Sequence, residues 1–178
     1  SATTGNGGND FLPIGSEAHP FVGCFDGQGH TISGLTVYVV DHSNAGLFSA
    51  LGNGGQIKNL NLEKTVIAGL ASVGGIAAIN DGGEIRQCGF EGIFASIGYY
   101  WYNIRAGGLV GINRGEVVAS HATCKIMNTV GFDVFGGLIG ENHGTVSECH
   151  ATVDTFIHGS RFDVFGGLIG ENHGTVSE

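Results

Sequence analysis

The chain has 178 residues, with 34 Gly, only 2 Pro, 42% hydrophobic and 13% charged residues, and a net charge of −9. That much glycine without proline or a G-X-Y period excludes collagen, and the hydrophobic share excludes plain disorder. The acidic balance, 16 Asp+Glu against 7 Lys+Arg, argues against nucleic acid or an anionic membrane as partner, and no apolar run is long enough to insert in a membrane.

Residues 1–10 are polar and Gly-rich, without the basic and apolar stretches of a signal peptide. Patterning begins at Phe11-Leu-Pro-Ile-Gly15, and Phe21 to Val37 reads FVGCFDGQGHTISGLTV. Ala45 to Phe48 reads AGLF, and Asn53 to Ile57 reads NGGQI. Val73 to Ile85 reads VGGIAAINDGGEI, and Ala106 to Val117 reads AGGLVGINRGEV. Phe132 to Glu148 reads FDVFGGLIGENHGTVSE, and Phe162 to Glu178 repeats it thirty positions later. The consensus is G-G-L-x-G-x-N-x-G-x-[IV]; its Asn falls at Asn53, Asn80, Asn113, Asn142 and Asn172, with spacings of 27, 33, 29 and 30.

A period near thirty also suits leucine-rich and ankyrin repeats, so the local pattern must decide. No unit holds a ten-residue stretch with helical apolar spacing, and Gly interrupts every candidate helix. Short strand-like runs remain, such as Thr145-Val146 and the alternating segment from Ala151 to Phe156. Three strands and three turns per unit predict an all-β, right-handed parallel β-helix. Stacked at about 4.8 Å, roughly five coils give a rod on the order of 25 Å long. Residues 1–178 form one solenoid region, with 1–44 an entry coil and 45–178 the repeats, expected to be a fragment of a longer repeat protein.

Gly107-Gly108, Gly136-Gly137 and Gly166-Gly167 are expected where the chain needs positive φ or close backbone approach. Ile76, Leu109, Leu138 and Leu168 are expected to stack as one inward column, and Ile57, Ile85, Val117, Val146 and Val176 as another. The five Asn are expected at a turn, their amides hydrogen-bonded from coil to coil. Cys88, Ser120 and Cys149 align, as do Cys124 and Val153. Cys88 and Cys149 then lie two coils apart, about 9.6 Å, too far for a disulfide.

The segment from Phe21 to Val37, then AGLF and the GGLxGxNxGxV units, closely resembles the GLUG-motif repeat family. That family occurs in bacterial surface and secreted proteins, including adhesin-like proteins and non-catalytic regions of some immunoglobulin A-cleaving metalloproteases. The resemblance runs from Leu12 almost to the end of the chain and implies an extracellular β-helical region of a larger protein. The family motif carries no catalytic residues, so none transfers. The 33-residue spacing from Asn80 to Asn113 departs from the family's usual length.

Parallel β-helices also host polysaccharide lyases and hydrolases, whose sites cluster carboxylates across neighbouring coils. The carboxylate pairs here, Asp133/Asp163, Glu141/Glu171 and Glu148/Glu178, are each one repeat position seen twice. His143/His173 and His121/His150 behave likewise, and two imidazoles fall short of the three or four protein ligands that zinc needs. No catalytic residue, metal ligand or cofactor is therefore expected. No Gly-rich motif opens a helix, GxxxxGK[ST] is absent, and no G-x-S-x-G elbow appears.

One stretch breaks the rule. Ile97 to Asn103 falls where a coil is three or four residues too long, and it holds the only Trp and three of the four Tyr. Tyr99, Tyr100, Trp101 and Tyr102 could form an aromatic platform for a host glycan or protein, or fold back over the solenoid flank. Three functions thus compete: a non-enzymatic extracellular scaffold of adhesin type, a binding module using the aromatic bulge, and a β-helical carbohydrate-active enzyme. The expected partners of the scaffold are further repeats of the same protein or other copies of the chain, stacked end to end into a filament.

Overall fold

The computed structural model describes residues 11–39, 43–96, 103–127, 132–156 and 162–178. The chain is a parallel β-solenoid, and the described residues contain strands and turns without a helix. Each complete coil contributes four strands rather than the three expected. The coil from Arg105 shows them in order: Arg105–Gly107, Val110–Asn113, Glu116–Val118 and His121–Met127. Short strands separated by tight corners look alike in sequence, so periodicity fixes the length of a coil but not how often it bends.

Four parallel sheets form the faces. The first stacks Ser72–Gly74, Arg105–Gly107, Phe132–Gly136 and Phe162–Gly166. The second stacks Phe48–Gly52, Ala77–Asp81, Val110–Asn113, Ile139–Asn142 and Ile169–Asn172. The third runs through six coils, from Cys24–Asp26 by way of Gln56–Lys58, Glu84–Arg86, Glu116–Val118 and Thr145–Ser147 to Thr175–Ser177. The fourth stacks Thr31–Ser33, Asn61–Gly69, Gly89–Ser96, His121–Met127 and His150–Phe156, with Thr36–Tyr38 also pairing on Asn61–Gly69. The segment from Cys24 to Tyr38 is therefore already a rung of the same stack.

In-register pairing turns the sequence period into columns of identical environment. Ile57, Ile85, Val117, Val146 and Val176 pair in turn, with Phe25 below them. Leu109, Leu138 and Leu168 follow one another through backbone hydrogen bonds of 2.8 Å, and Ile76 and the buried Leu47 extend the column. Phe48, Phe90, Phe94 and Phe135 are the largest fully buried side chains of the core, the Phe90 and Phe94 rings 5.2 Å apart. Burial of such side chains contributes about 2–3 kcal/mol each, which is what holds the stacked strands together.

The corners are built in two ways. The Gly-Gly pairs are required for close approach and not for positive φ. A Cβ on Gly108 would meet the Gly137 carbonyl and the Cys124 sulfur, and Gly107, Gly108, Gly136 and Gly137 are all absent from the positive-φ residues. At the corner from the third to the fourth face a non-glycine residue takes positive φ in each coil, Gln28, Asn59, Gln87, Ala119 and Glu148, between 48° and 54°; Lys64, within the fourth face, takes it as well. Left-handed backbone costs a non-glycine residue about 1 kcal/mol or more. The stack holds it there: the amides of Asn59, Gln87 and Ala119 donate to Arg86, Val118 and Ser147 of the next coil at 3.0–3.1 Å.

Candidate functional site

At the corner after the second face, the Asn side chains form a ladder. Asn80 Nδ2 donates to Asn113 Oδ1 at 2.9 Å, and Asn113 to Asn142 and Asn142 to Asn172 each at 2.8 Å. The second Nδ2 hydrogen reaches a carbonyl of the same turn, Gly83, Gly115 or Gly144. Each Oδ1 also accepts the N–H of that glycine, so the amides of Asn113 and Asn142 use all their hydrogen-bonding capacity. Asn80, Asn113 and Asn142 are fully buried, which makes this satisfaction a condition of the fold.

Asn53 does not belong to the ladder. Leu51 stands opposite Asn80, and Asn53 is exposed two residues later. The N-G-G string that suggested the alignment is a turn, with Gly54 at φ 81°. An apolar residue thus ends the ladder.

Tyr99, Tyr100, Trp101 and Tyr102 lie outside the described residues. The strands flanking them, Gly89–Ser96 and Arg105–Gly107, keep parallel pairing with both neighbouring coils. Of the four residues by which the Asn80–Asn113 spacing exceeds the next one, three are taken up between Ser96 and Arg105 and one in the turn from Asn80 to Ile85.

The buried thiols are chemically quiet. Cys88, Cys124 and Cys149 are free, as is the exposed Cys24. Burial pushes the Cys88 thiol up to about 11 and Cys124 up to about 12, far from the thiolate character a nucleophile needs. Cys88, Ser120 and Cys149 share a column, in which the Cys88 amide donates to Ser120 Oγ at 3.1 Å and the Ser120 amide to Cys149 Sγ at 3.4 Å.

Two histidine pairs stack along the rod. The His121 and His150 rings are 5.3 Å apart and nearly parallel, on the outward side of the fourth face. Burial, then the neighbouring His150, lowers the His121 pKa. His143 and His173 stack at 5.0 Å. His143 Nε2 lies 2.5 Å from Glu141 Oε1, while Arg105 Nε pairs with Glu141 Oε2. Burial raises the Glu141 pKa, but the hydrogen bond from His143 and the Arg105 charge outweigh it and hold the carboxyl below its ordinary value. Arg105 comes from a different face and coil, and nothing in the spacing of the repeats points to it.

A shallow polar groove runs along the turns beside the Asn ladder, between Gln56, Glu84, Arg114, Glu116 and Thr145. Gln56, Glu84, Glu116 and Thr145 are one repeat position seen on successive coils. Gln56 donates to Glu84 at 3.1 Å and Arg86 Nε to Glu84 at 2.6 Å.

No family model matches the chain, and no solved structure matches it either. Halomucin of Haloquadratum walsbyi is 36% identical over 120 residues, covering 66% of this chain and 1% of that protein. A protein of Evansella cellulosilytica described as a Gly-rich membrane protein is 35% identical over 79 residues, covering 43% of this chain and 9% of that protein. The chain therefore spans a small fraction of either relative. A β-solenoid with these relatives fits a surface or structural scaffold.

Proposed function

We propose that this chain is a rigid spacer of an extracellular scaffold, an adhesin-type stretch of β-solenoid within a longer surface or secreted protein. The observation that carries the reading is the repeat character of the polar chemistry. The groove residues from Gln56 to Thr145, the stacked histidines and the Asn ladder all occupy positions that recur from coil to coil. Such columns serve the stack first, because each side chain meets its own counterpart about 4.8 Å away. The same features speak against a β-helical polysaccharide-active enzyme, whose site needs a cluster of dissimilar groups. The names of the relatives, Halomucin and a Gly-rich membrane protein, support a place at the cell surface, and so does the resemblance to GLUG-motif repeats.

The test is surface labelling of the parent protein with an antibody raised against this chain. Labelling of intact cells, or recovery of the parent protein from the medium, is the expected result. Signal only after permeabilisation refutes the reading. A second reading, binding of a glycan or host protein, is favoured by the aromatic segment from Tyr99 to Tyr102, inserted where the coil is longest. Trp101→Ala with Tyr100→Ala should then weaken binding on a glycan array, and unchanged binding sinks it.

A further inference from the structure

The two Glu-Asn-His copies place four ligand-bearing side chains on one patch. Along a strand, side chains alternate between faces, so Glu141 and His143 sit on the opposite side from the buried Asn142. The next coil repeats the arrangement in register, Glu141 against Glu171 and Asn142 against Asn172. A carboxylate oxygen of Glu141, one of Glu171 and a ring nitrogen of His173 lie within 4.8 Å of one another. The His143 ring, stacked on His173 at 5.0 Å, adjoins the same group through its Nε2.

We propose that this patch is a binding site for a divalent transition-metal cation of the zinc type, held by Glu141, Glu171 and His173, with His143 in the fourth position. Zinc accepts mixed imidazole and carboxylate sets of three or four ligands at about 2.0–2.2 Å. Donors around a common centre at that distance are separated by about 3.5 Å, so Glu141, Glu171 and His173 must close by about one ångström, while His143 Nε2, 2.5 Å from Glu141 Oε1, must move out by about as much. The outer members have room to do so: the Glu171 and His173 side chains are 36% and 57% exposed. Arg105 engages Glu141 Oε2 and leaves Oε1 turned toward His143. The guanidinium also offsets one of the two stacked carboxylate charges.

Nitrogen donors set the class of ion. Ca²⁺ and Mg²⁺ take oxygen ligands, whereas imidazole favours zinc and its neighbours. The site is not a general product of the repeat. One coil earlier, the positions of Glu141 and His143 are held by Ile112 and Arg114, which flank Asn113, and Ile79 and Asp81 flank Asn80. Only the two neighbouring copies with identical sequence complete the set. A bound ion would tie the last two rungs together across the second face.

The test is calorimetric titration of the 178-residue chain with ZnCl₂ and, separately, CaCl₂ at neutral pH, with thermal unfolding in parallel. One Zn²⁺ equivalent should bind and raise the unfolding temperature, with no comparable response to Ca²⁺. Glu171→Gln and His173→Gln should each weaken Zn²⁺ binding at least about tenfold and abolish the thermal shift, without lowering the unfolding temperature of the metal-free chain. His150→Gln, at the other histidine pair, should leave binding intact. Absent Zn²⁺ uptake, uptake unchanged in Glu171→Gln and His173→Gln, or equal uptake of Ca²⁺ would overturn the proposal.

Discussion

Replacing Asn113 by alanine removes an inner rung of the amide ladder. Its side chain accepts from Asn80 Nδ2 at 2.9 Å and donates to Asn142 Oδ1 at 2.8 Å, and it bonds both the N–H and the carbonyl of Gly115 at 3.3 Å. Asn80 and Asn142 are fully buried, so water does not replace the lost partners. A buried polar group left without a partner costs about 1–3 kcal/mol. Asn80 Nδ2 keeps the Gly83 carbonyl and Asn142 Oδ1 keeps the Gly144 N–H, so each loses one of two partners; the pair costs about 1–3 kcal/mol, and the weaker Gly115 bonds add to it. Asn53→Ala is the control, since that residue is exposed and lies outside the ladder; its effect should stay within about 0.5 kcal/mol. Urea unfolding followed by far-ultraviolet circular dichroism measures both. If Asn113→Ala unfolds at the same urea concentration as Asn53→Ala, the ladder is not a determinant of stability.

Other perturbations test the corners, the thiols and the stacked imidazoles. Gly108→Ala forces a methyl group onto the Gly137 carbonyl and the Cys124 sulfur and should destabilise by about 1–3 kcal/mol. Ala119→Gly relieves a φ of 48° and should stabilise the chain or leave it unchanged, within about 1 kcal/mol. A loss of more than that would mean the methyl group is needed there. Native-state alkylation at pH 8 read by mass spectrometry should modify Cys24 and spare Cys88 and Cys124, whose thiols are raised to about 11 and about 12. Equal modification of all four would show that the core opens readily. His121 has a folded pKa below its ordinary value of 6.5, so its neutral form favours folding. That contribution is complete above the ordinary value and is lost as pH falls through it toward the folded value. His121→Gln should flatten the decline in unfolding temperature on acidification, and an unchanged slope would assign the decline to other groups.

Much of the architecture was legible because parallel, in-register stacking converts sequence period directly into spatial contact. The Val117 and Leu109 columns, the Cys88–Ser120–Cys149 alignment and both histidine pairs follow from adding one repeat length to a residue number. The same arithmetic failed at Asn53, where a turn imitates the motif and Leu51 occupies the rung. It was also silent about Arg105, whose partner Glu141 lies on another face and another coil.

The sequence by itself determined the period, the parallel sheets and the identity of the inward columns, since Gly excludes helices and only stacked strands bury apolar residues at that interval. The tertiary structure decided how many times each coil bends, because four short strands and three look alike in composition. It decided which residues take the left-handed corner, because the coil-to-coil hydrogen bonds at Gln87 and Ala119 outweigh the steric preference for glycine. It also decided that Glu141, Glu171 and His173 converge, a matter of strand alternation and rung spacing together that neither copy of the motif contains alone.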